Sequence, residues 1–287
     1  MSQYGEPDHY ILHVSDTHFV TDGALLHDCV DSDANLTRLF ERLEKAGRRP
    51  EAIVFTGDLA DRGEPEAYVR LRRIVEPAAE RLGAKVIWVM GNHDARPAFR
   101  SGLLDAEPTE DSVDAVVDVN GLRIILLDST VPGFHHGLIS DEQLAWLTDV
   151  LAEPAPHGTL LALHHPPVPG LLDAIESVEL KEQHRLETVL AGTDVRGILA
   201  GHLHYSTTCT FAGIPVSVAS ATCYTQDLFV DEDSIRGQDG AQGFNMVHVY
   251  RDRVLHTVVP LDVSPAVYEM TADEIRQSIE QLTAPVV

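Results

Sequence analysis

The chain has 287 residues, with 21 Lys or Arg against 45 Asp or Glu, a formal net charge of −24. A composition of 44% hydrophobic and 23% charged residues is globular and excludes disordered and fibrous classes. The acidity argues against nucleic-acid or anionic-membrane binding, since both need positive surface. The length suits one α/β domain of roughly 200–250 residues with a small extension.

In chain order, the apolar run Tyr10–Val14 has the profile of a buried strand. Residues 33–46 place Leu36, Leu39, Phe40 and Leu43 at helical spacing, with Gly47 as a stop. Residues 52–55 form a second buried strand, 65–82 a helix bent near Pro77 and ended by Gly83, and 86–90 a third strand. This βαβαβ order predicts a largely parallel sheet with right-handed crossovers. Asn120-Gly121 suits a type I′ hairpin between VVDV and LRIILLD, and Ser140 to Gln143 form a capping box opening a helix through Leu151. A strand over 159–163, a helix near 180–190 and a strand over 195–200 follow. After Gly201 come short runs (TTCTFAG, PVSVASAT, FNMVHVY, RVLHTVVPL) with an antiparallel look. The polar stretch 227–243 reads as a loop for function or partner contact, and Thr271 caps a last short helix.

Three widely spaced cysteines, Cys29, Cys209 and Cys223, give no CxxC zinc site and no disulfide framework, so reduced thiols are expected. MSQYGEPDHY lacks a basic start followed by an apolar run, and no apolar stretch approaches the ~18 residues of a membrane span. A cytoplasmic protein with no integral membrane segment is expected.

Each predicted strand is followed by metal-compatible side chains. Ser15-Asp16-Thr17-His18 follows the first, Gly57-Asp58 the second and Gly91-Asn92-His93-Asp94 the third; His164-His165 and Gly201-His202-Leu203-His204 follow the strands at 159–163 and 195–200. In an open α/β sheet, ligands bind beyond the carboxyl ends of the strands. Each piece alone is a turn with a surface histidine; jointly they place imidazole, carboxylate and carboxamide groups on one rim. Such donors suit Fe, Mn, Zn or Co and disfavour copper(I). Seven ligand groups exceed one tetrahedral shell and imply two ions, ~3.5–4 Å apart, with a bridging carboxylate. Asp58 is the choice for the bridge, its strand lying between other motif-bearing strands. A water or hydroxide between such ions is a nucleophile at neutral pH, and a local charge of about +4 accepts phosphate on an acidic protein. His93 is placed to bind phosphate or protonate a leaving alkoxide, with Asp94 orienting it.

The series D-x-H, GD, GNHD, H, GHxH resembles the calcineurin-like metallophosphoesterase superfamily over residues 10–260 or so. SDTHF, VFTGDLADRGEPEAY, VMGNHD, ALHHPP and AGHLHYST, with SVASATCYTQD and GAQG further on, resemble its bacterial class III cyclic nucleotide phosphodiesterases, mycobacterial type. The resemblance implies a four-layer α/β/β/α sandwich of two mixed sheets flanked by helices. It implies a metallophosphoesterase catalytic domain over 1–265, a C-terminal helical extension over 266–287, and a homodimer. The first ion, iron in relatives, falls to Asp16, His18, Asp58 and His204; the second, often manganese, falls to Asp58, Asn92, His164 and His202. The reaction implied is opening of a 3′,5′-cyclic nucleotide, cyclic AMP, by in-line attack of a metal-bridging hydroxide. His93, Asp58 and Asn92 are the catalytic residues, and Asn92, His93, His204 and His135 the substrate contacts. The alternative is a glycerophosphodiesterase or broad phosphodiesterase, active on 2′,3′-cyclic nucleotides too, with the same centre.

GDLADRG also resembles an element of the protein serine/threonine phosphatases whose arginine holds phosphate, but DTHF and GNHD depart from that group, and Arg62 is read as a loop residue. His165 is expected to point away from His164 on an extended segment. His9, His13, His27, His157, His184, His248 and His256 are read as surface or core residues.

Overall fold

The computed structural model describes residues 4–21, 23–231 and 234–283. Strands β1 (His9–Val14), β2 (Ala52–Thr56) and β3 (Lys85–Val89) are parallel neighbours, linked by helices α1 (Ser32–Lys45) and α2 (Pro65–Leu82). Asp31 caps α1 by accepting the Ala34 N–H at 2.9 Å, and Leu36, Leu39, Phe40 and Leu43 are its buried stripe. In α2, Pro65 takes the first turn, where no N–H is needed, and Gly83 ends the helix at φ 72°. The helix runs on through Pro77, which is exposed.

An unforeseen helix, α3 (Arg96–Leu103), follows β3. Its cause is tertiary: Gly102 lies on Tyr68 of α2, where a Cβ would stand 2.9 Å from the Tyr68 Cβ. The Arg96 guanidinium meanwhile reaches Asp128 at 3.0 Å and the Thr130 carbonyl at 3.1 Å.

The second half builds another sheet. Strands β4 (Ala115–Val119) and β5 (Leu122–Leu126) form the expected hairpin, with Asn120 and Gly121 both at positive φ. Helix α4 (Asp141–Leu151) opens on the reciprocal Ser140–Gln143 capping box. Strand β6 (Thr159–Ala162), helix α5 (Gln183–Leu190) and strand β7 (Val195–Ala200) follow, with a 3-10 segment at Asp173–Val178. The β8–β9 hairpin (Thr207–Phe211, Ile214–Val218) turns at Ala212-Gly213. It is antiparallel within itself, yet β9 adds parallel to β7, unlike the all-antiparallel pattern expected after Gly201. Two short strands pair here: β10 (Thr225–Gln226) just before the stretch read as a loop, and β11 (Gly237–Gln238) inside it. Strands β12 (Gly243–Tyr250) and β13 (Arg253–Pro260) return to the first sheet, β12 antiparallel to β1 and β13 antiparallel to β12, and α6 (Ala272–Thr283) follows. The sheet orders are β13-β12-β1-β2-β3 and β4-β5-β6-β7-β9-β8.

Three apolar clusters define four layers. One lies between the first sheet and α1, α2 and α3 (Leu12, Phe55, Leu39, Leu71, Phe99), and one between the second sheet and α4 and α5 (Ile125, Leu161, Leu147, Leu186). The third lies between the sheets (Ile11, Val54, Val89, Ile124, Leu160, Leu199). The fold is the α/β/β/α sandwich. Among the described residues no helix is long and apolar enough to cross a membrane.

The inter-sheet layer also carries polar groups. His13 is hydrogen-bonded to Thr56 Oγ1 at 2.9 Å, and Asn245 Nδ2 donates to Ser217 Oγ at 3.2 Å. His256 of β13 lies over Gly197 of β7, where a Cβ would stand 3.4 Å from its Nε2. Burial pushes His256 down to about 4; burial and then the neighbouring His256 push His13 down to about 3. Both fold neutral, so the unfolded chain binds more protons below about pH 6.5 and stability falls with acidification. Urea unfolding of wild type and His256→Leu between pH 7 and pH 4.5 checks this. The variant's stability should fall less steeply, by about 1 kcal/mol per pH unit, and equal slopes would refute it.

Candidate metal centre

Both sheets present the carboxyl ends of their parallel strands to one rim, and the chain turns sharply on leaving them. Asp16 (φ 51°), His18 (42°), Asp58 (50°), His202 (73°) and His204 (54°) all adopt the left-handed conformation. For non-glycine residues this costs about 1–3 kcal/mol each and persists only where surroundings enforce it. Here the loops enforce it on one another: the Asp16 N–H donates to the Gly57 carbonyl at 3.1 Å, His18 N–H to the Asp58 carbonyl at 3.0 Å, and Cys223 N–H to the Asp16 carbonyl at 3.2 Å. The motif glycines serve close approach. A Cβ on Gly91 would stand 2.2 Å from the Asp58 nitrogen, and one on Gly201 1.8 Å from Ser15 Oγ.

The seven expected side chains come together in two groups. Asp16, His18, Asp58 and His204 have donor atoms within 4.8 Å of one another. Beside them, His164 Nε2 lies 3.1 Å from Asn92 Oδ1, 3.2 Å from His202 Nδ1 and 3.3 Å from Asp58 Oδ2. Asp58 faces both groups, for its Oδ2 is also 3.5 Å from His18 Nε2, while its Oδ1 accepts the His93 backbone N–H at 2.8 Å.

The fit to cations rests on the imidazoles. Each of the four donates its outer N–H to an oxygen behind it. His18 Nδ1 donates to Asp61 (3.1 Å), His164 Nδ1 to the Thr56 carbonyl (2.7 Å), His204 Nδ1 to the Tyr224 carbonyl (2.9 Å) and His202 Nε2 to the Val178 carbonyl (3.0 Å). This fixes the tautomers and turns the other nitrogens inward as lone pairs. His18 Nε2 and His204 Nε2 then meet at 3.2 Å, as do His164 Nε2 and His202 Nδ1, an arrangement that calls for a positive charge between each pair. The field supplies the same demand. Burial opposes charge on His18 and His164, but hydrogen bonds to Asp58 and Asp61 push His18 up to about 10, and the Asp58 charge pushes His164 up to about 9. Burial would raise Asp58, yet the His164 charge holds its carboxyl well below the usual range. Burial pushes His204 down to about 4 and His202 well below its usual value. The residues fit a dimetal centre.

The neighbours bring several corrections. Asp94 is not the group that orients His93. It is half-buried, accepts the Gly91 N–H at 2.9 Å, the Ala60 N–H at 3.0 Å and the Tyr68 hydroxyl at 2.9 Å, and braces the loops after β2 and β3. His93 Nδ1 donates instead to the Asp61 carbonyl at 2.7 Å. Asp61 therefore holds both His18 and His93, a role sequence reading missed although the residue lies in GDLAD. His165 does not turn away: its ring is 4.5 Å from that of His202, and it spans Ser129 (2.8 Å) and the His135 carbonyl (3.0 Å). His135 Nδ1 lies 3.0 Å from Asn92 Nδ2, on the rim as expected. Arg62 is largely exposed, 3.6 Å from Asp61. Tyr224, unforeseen, lays its ring 4.4 Å from that of His204.

Residues 9–206 match the model of the calcineurin-like phosphoesterase family. The chain belongs to this family. It is 58% identical to a cAMP/cGMP dual specificity phosphodiesterase of Mycobacterium tuberculosis over 91% of this chain and 82% of that protein. It is 26% identical to a glycerophosphodiester phosphodiesterase of Enterobacter lignolyticus over 78% of this chain and 81% of that protein. A dimetal phosphatase from Danio rerio shares the fold at 18% identity, with a TM-score of 0.64 over 90% of this chain and 98% of that one. The chain is thus a phosphoester hydrolase with a dimetal centre.

Gly91→Ala should drive Asp58 out of place, cost about 2 kcal/mol or more of stability, and reduce divalent cation below two per chain. Elemental analysis of wild type and variant after identical loading checks this; unchanged metal content would contradict it.

Proposed function

We propose that this protein hydrolyses 3′,5′-cyclic nucleotides, cyclic AMP among them, to nucleoside 5′-monophosphates. The observation that carries the reading is the set of four tautomer-locked imidazoles facing Asp16 and Asp58; the substrate class draws support from the 58% identical cAMP/cGMP phosphodiesterase. Asp16, His18, Asp58 and His204 would hold one ion and Asp58, Asn92, His164 and His202 the other, with Asp58 shared. Iron and manganese are the pair proposed, with zinc or cobalt as substitutes, in a cytoplasmic homodimer whose catalytic domain spans 1–265 and whose helical extension spans 266–287.

Bound divalent ions supply Lewis acidity, neutralising phosphoryl charge and acidifying the attacking water. The chain's own residues do the rest. Asn92, His204 and His135 line the place of the phosphate, and Asp58 stands between the two groups of ligands. Water attacks phosphorus in line with the departing 3′ oxygen, and the P–O3′ bond breaks. His93, its Nδ1–H fixed on the Asp61 carbonyl, gives a second proton from Nε2 to that oxygen, and the proton shed by the attacking water restores it.

Purified, Mn2+-loaded protein should release AMP from cyclic AMP, and no release above background removes the reading. A glycerophosphodiester substrate is the second reading, favoured by the 26% identical relative, and comparison of kcat/KM for the two substrates ranks them. Asn92→Ala should lower kcat/KM about 10–100-fold through loss of metal-site support; wild-type rate would sink its assignment. His93→Ala should slow cyclic AMP more than a nitrophenyl diester, whose leaving group needs no proton. Equal losses would instead place His93 on the phosphate.

A further inference from the structure

Beside the metal centre lies a cleft of about 390 Å³ that the reaction as described does not use. Its walls are the turn at 26–30 and the β10–β11 hairpin, and His27, Tyr224, Gln226, Ile235 and Asp239 line it. We propose that this cleft is the subsite for the nucleobase of the substrate, an inference that rests on the cyclic-nucleotide reading above.

Position is the first argument. The Tyr224 ring stands 4.4 Å from the ring of His204 and 6.1 Å from that of His18, so the cleft begins where the metal centre ends. The Gln226 backbone N–H donates to the His204 carbonyl at 3.1 Å, which fixes the cleft to the same loop. A phosphate held at the ions would thus have its ribose and base directed along Tyr224.

Chemistry is the second. His27 and Tyr224 meet edge to face at 5.3 Å and offer aromatic surface to a flat ring. Both are held for the purpose. Gly237 of β11 presses on Tyr224, where a Cβ would stand 2.9 Å from Cδ2. His27 and Asp28 are left-handed at the tip of a turn closed by two Leu26–Val30 backbone hydrogen bonds of 2.9 Å each.

The third argument is an orphan. Gln226 Oε1 is buried and has no hydrogen-bond partner among the described residues, while Gln238 is tied to Thr225 at 3.2 Å and Asp239 accepts from Gln242 at 2.7 Å. Gln226 lines the cleft, and rotation of its half-buried side chain would bring this unpaired acceptor to the N–H of a ligand there. Aromatic surface with an amide acceptor is the means by which proteins grip an unstacked base through its face and its edge N–H groups. A glycerol or alkyl substituent offers neither a face nor a ring N–H.

The test compares cyclic AMP with methyl 4-nitrophenyl phosphate, a diester without a base, in Mn2+-loaded wild type, Gln226→Ala and His27→Ala. His27 sits on an exposed turn, so its variant guards against a folding defect at Gln226. The expected result is that the ratio of kcat/KM for cyclic AMP to that for the base-free diester drops about 10-fold in each variant, mainly through KM. If wild type hydrolyses cyclic AMP and both variants keep its ratio, or lose both substrates in parallel, the subsite is overturned while the function stands. If wild type hydrolyses the base-free diester and no 3′,5′-cyclic nucleotide, the function itself fails and takes the subsite with it.

Discussion

Inward-facing lone pairs set against buried carboxylates are the interaction on which the rest of this molecule depends. Four imidazoles direct nitrogen at Asp16, Asp58 and each other within 3.2–3.5 Å, and nothing but positive charge makes that crowding favourable. The left-handed turns after β1, β2 and β7 carry strain for the same end: each aims a side chain back over the strand that delivered it. Gly91 and Gly201 belong to this constraint as well, since only their missing side chains let the Asp58 and Asp16 loops approach.

The sandwich explains how so dense a cluster is held still. Asp16, His18, Asp58 and Asn92 come from one sheet and His164, His202 and His204 from the other. An apolar layer locks the two sheets together beneath them. Between that layer and the rim lie His13, Thr56, Asn245 and Ser217, whose hydrogen bonds grade the interior from dry to polar. The chain as a whole carries −24, which repels a phosphodiester at long range. Attraction to an anion is left to the centre and its ions.

Much of this was legible before any coordinates. Strand ends and motifs coincide, so a few short apolar runs and the polar letters after them sufficed to gather the seven ligand candidates on one edge. Helices with clear caps, such as α1 behind Asp31 and α4 behind Ser140, declared their own boundaries. What stayed hidden was set by contacts distant in sequence. Helix α3 packs on α2 where Gly102 rests on Tyr68; β9 pairs parallel to β7, a long-range choice its own hairpin does not declare; Asp94 looked like a partner for its neighbour His93 but spends its oxygens on three backbone N–H groups and a tyrosine. Asp61 and Tyr224 act through geometry that no local spacing reveals.

Three of the four oxygens that lock the histidine tautomers are main-chain carbonyls, those of Thr56, Val178 and Tyr224. A carbonyl survives any replacement of the side chain it belongs to. Tyr224 shows what this permits: its backbone props a ligand while its ring faces the neighbouring cleft. Selection can therefore change the Tyr224 side chain, and with it the wall of that cleft, and leave in place the carbonyl that props His204.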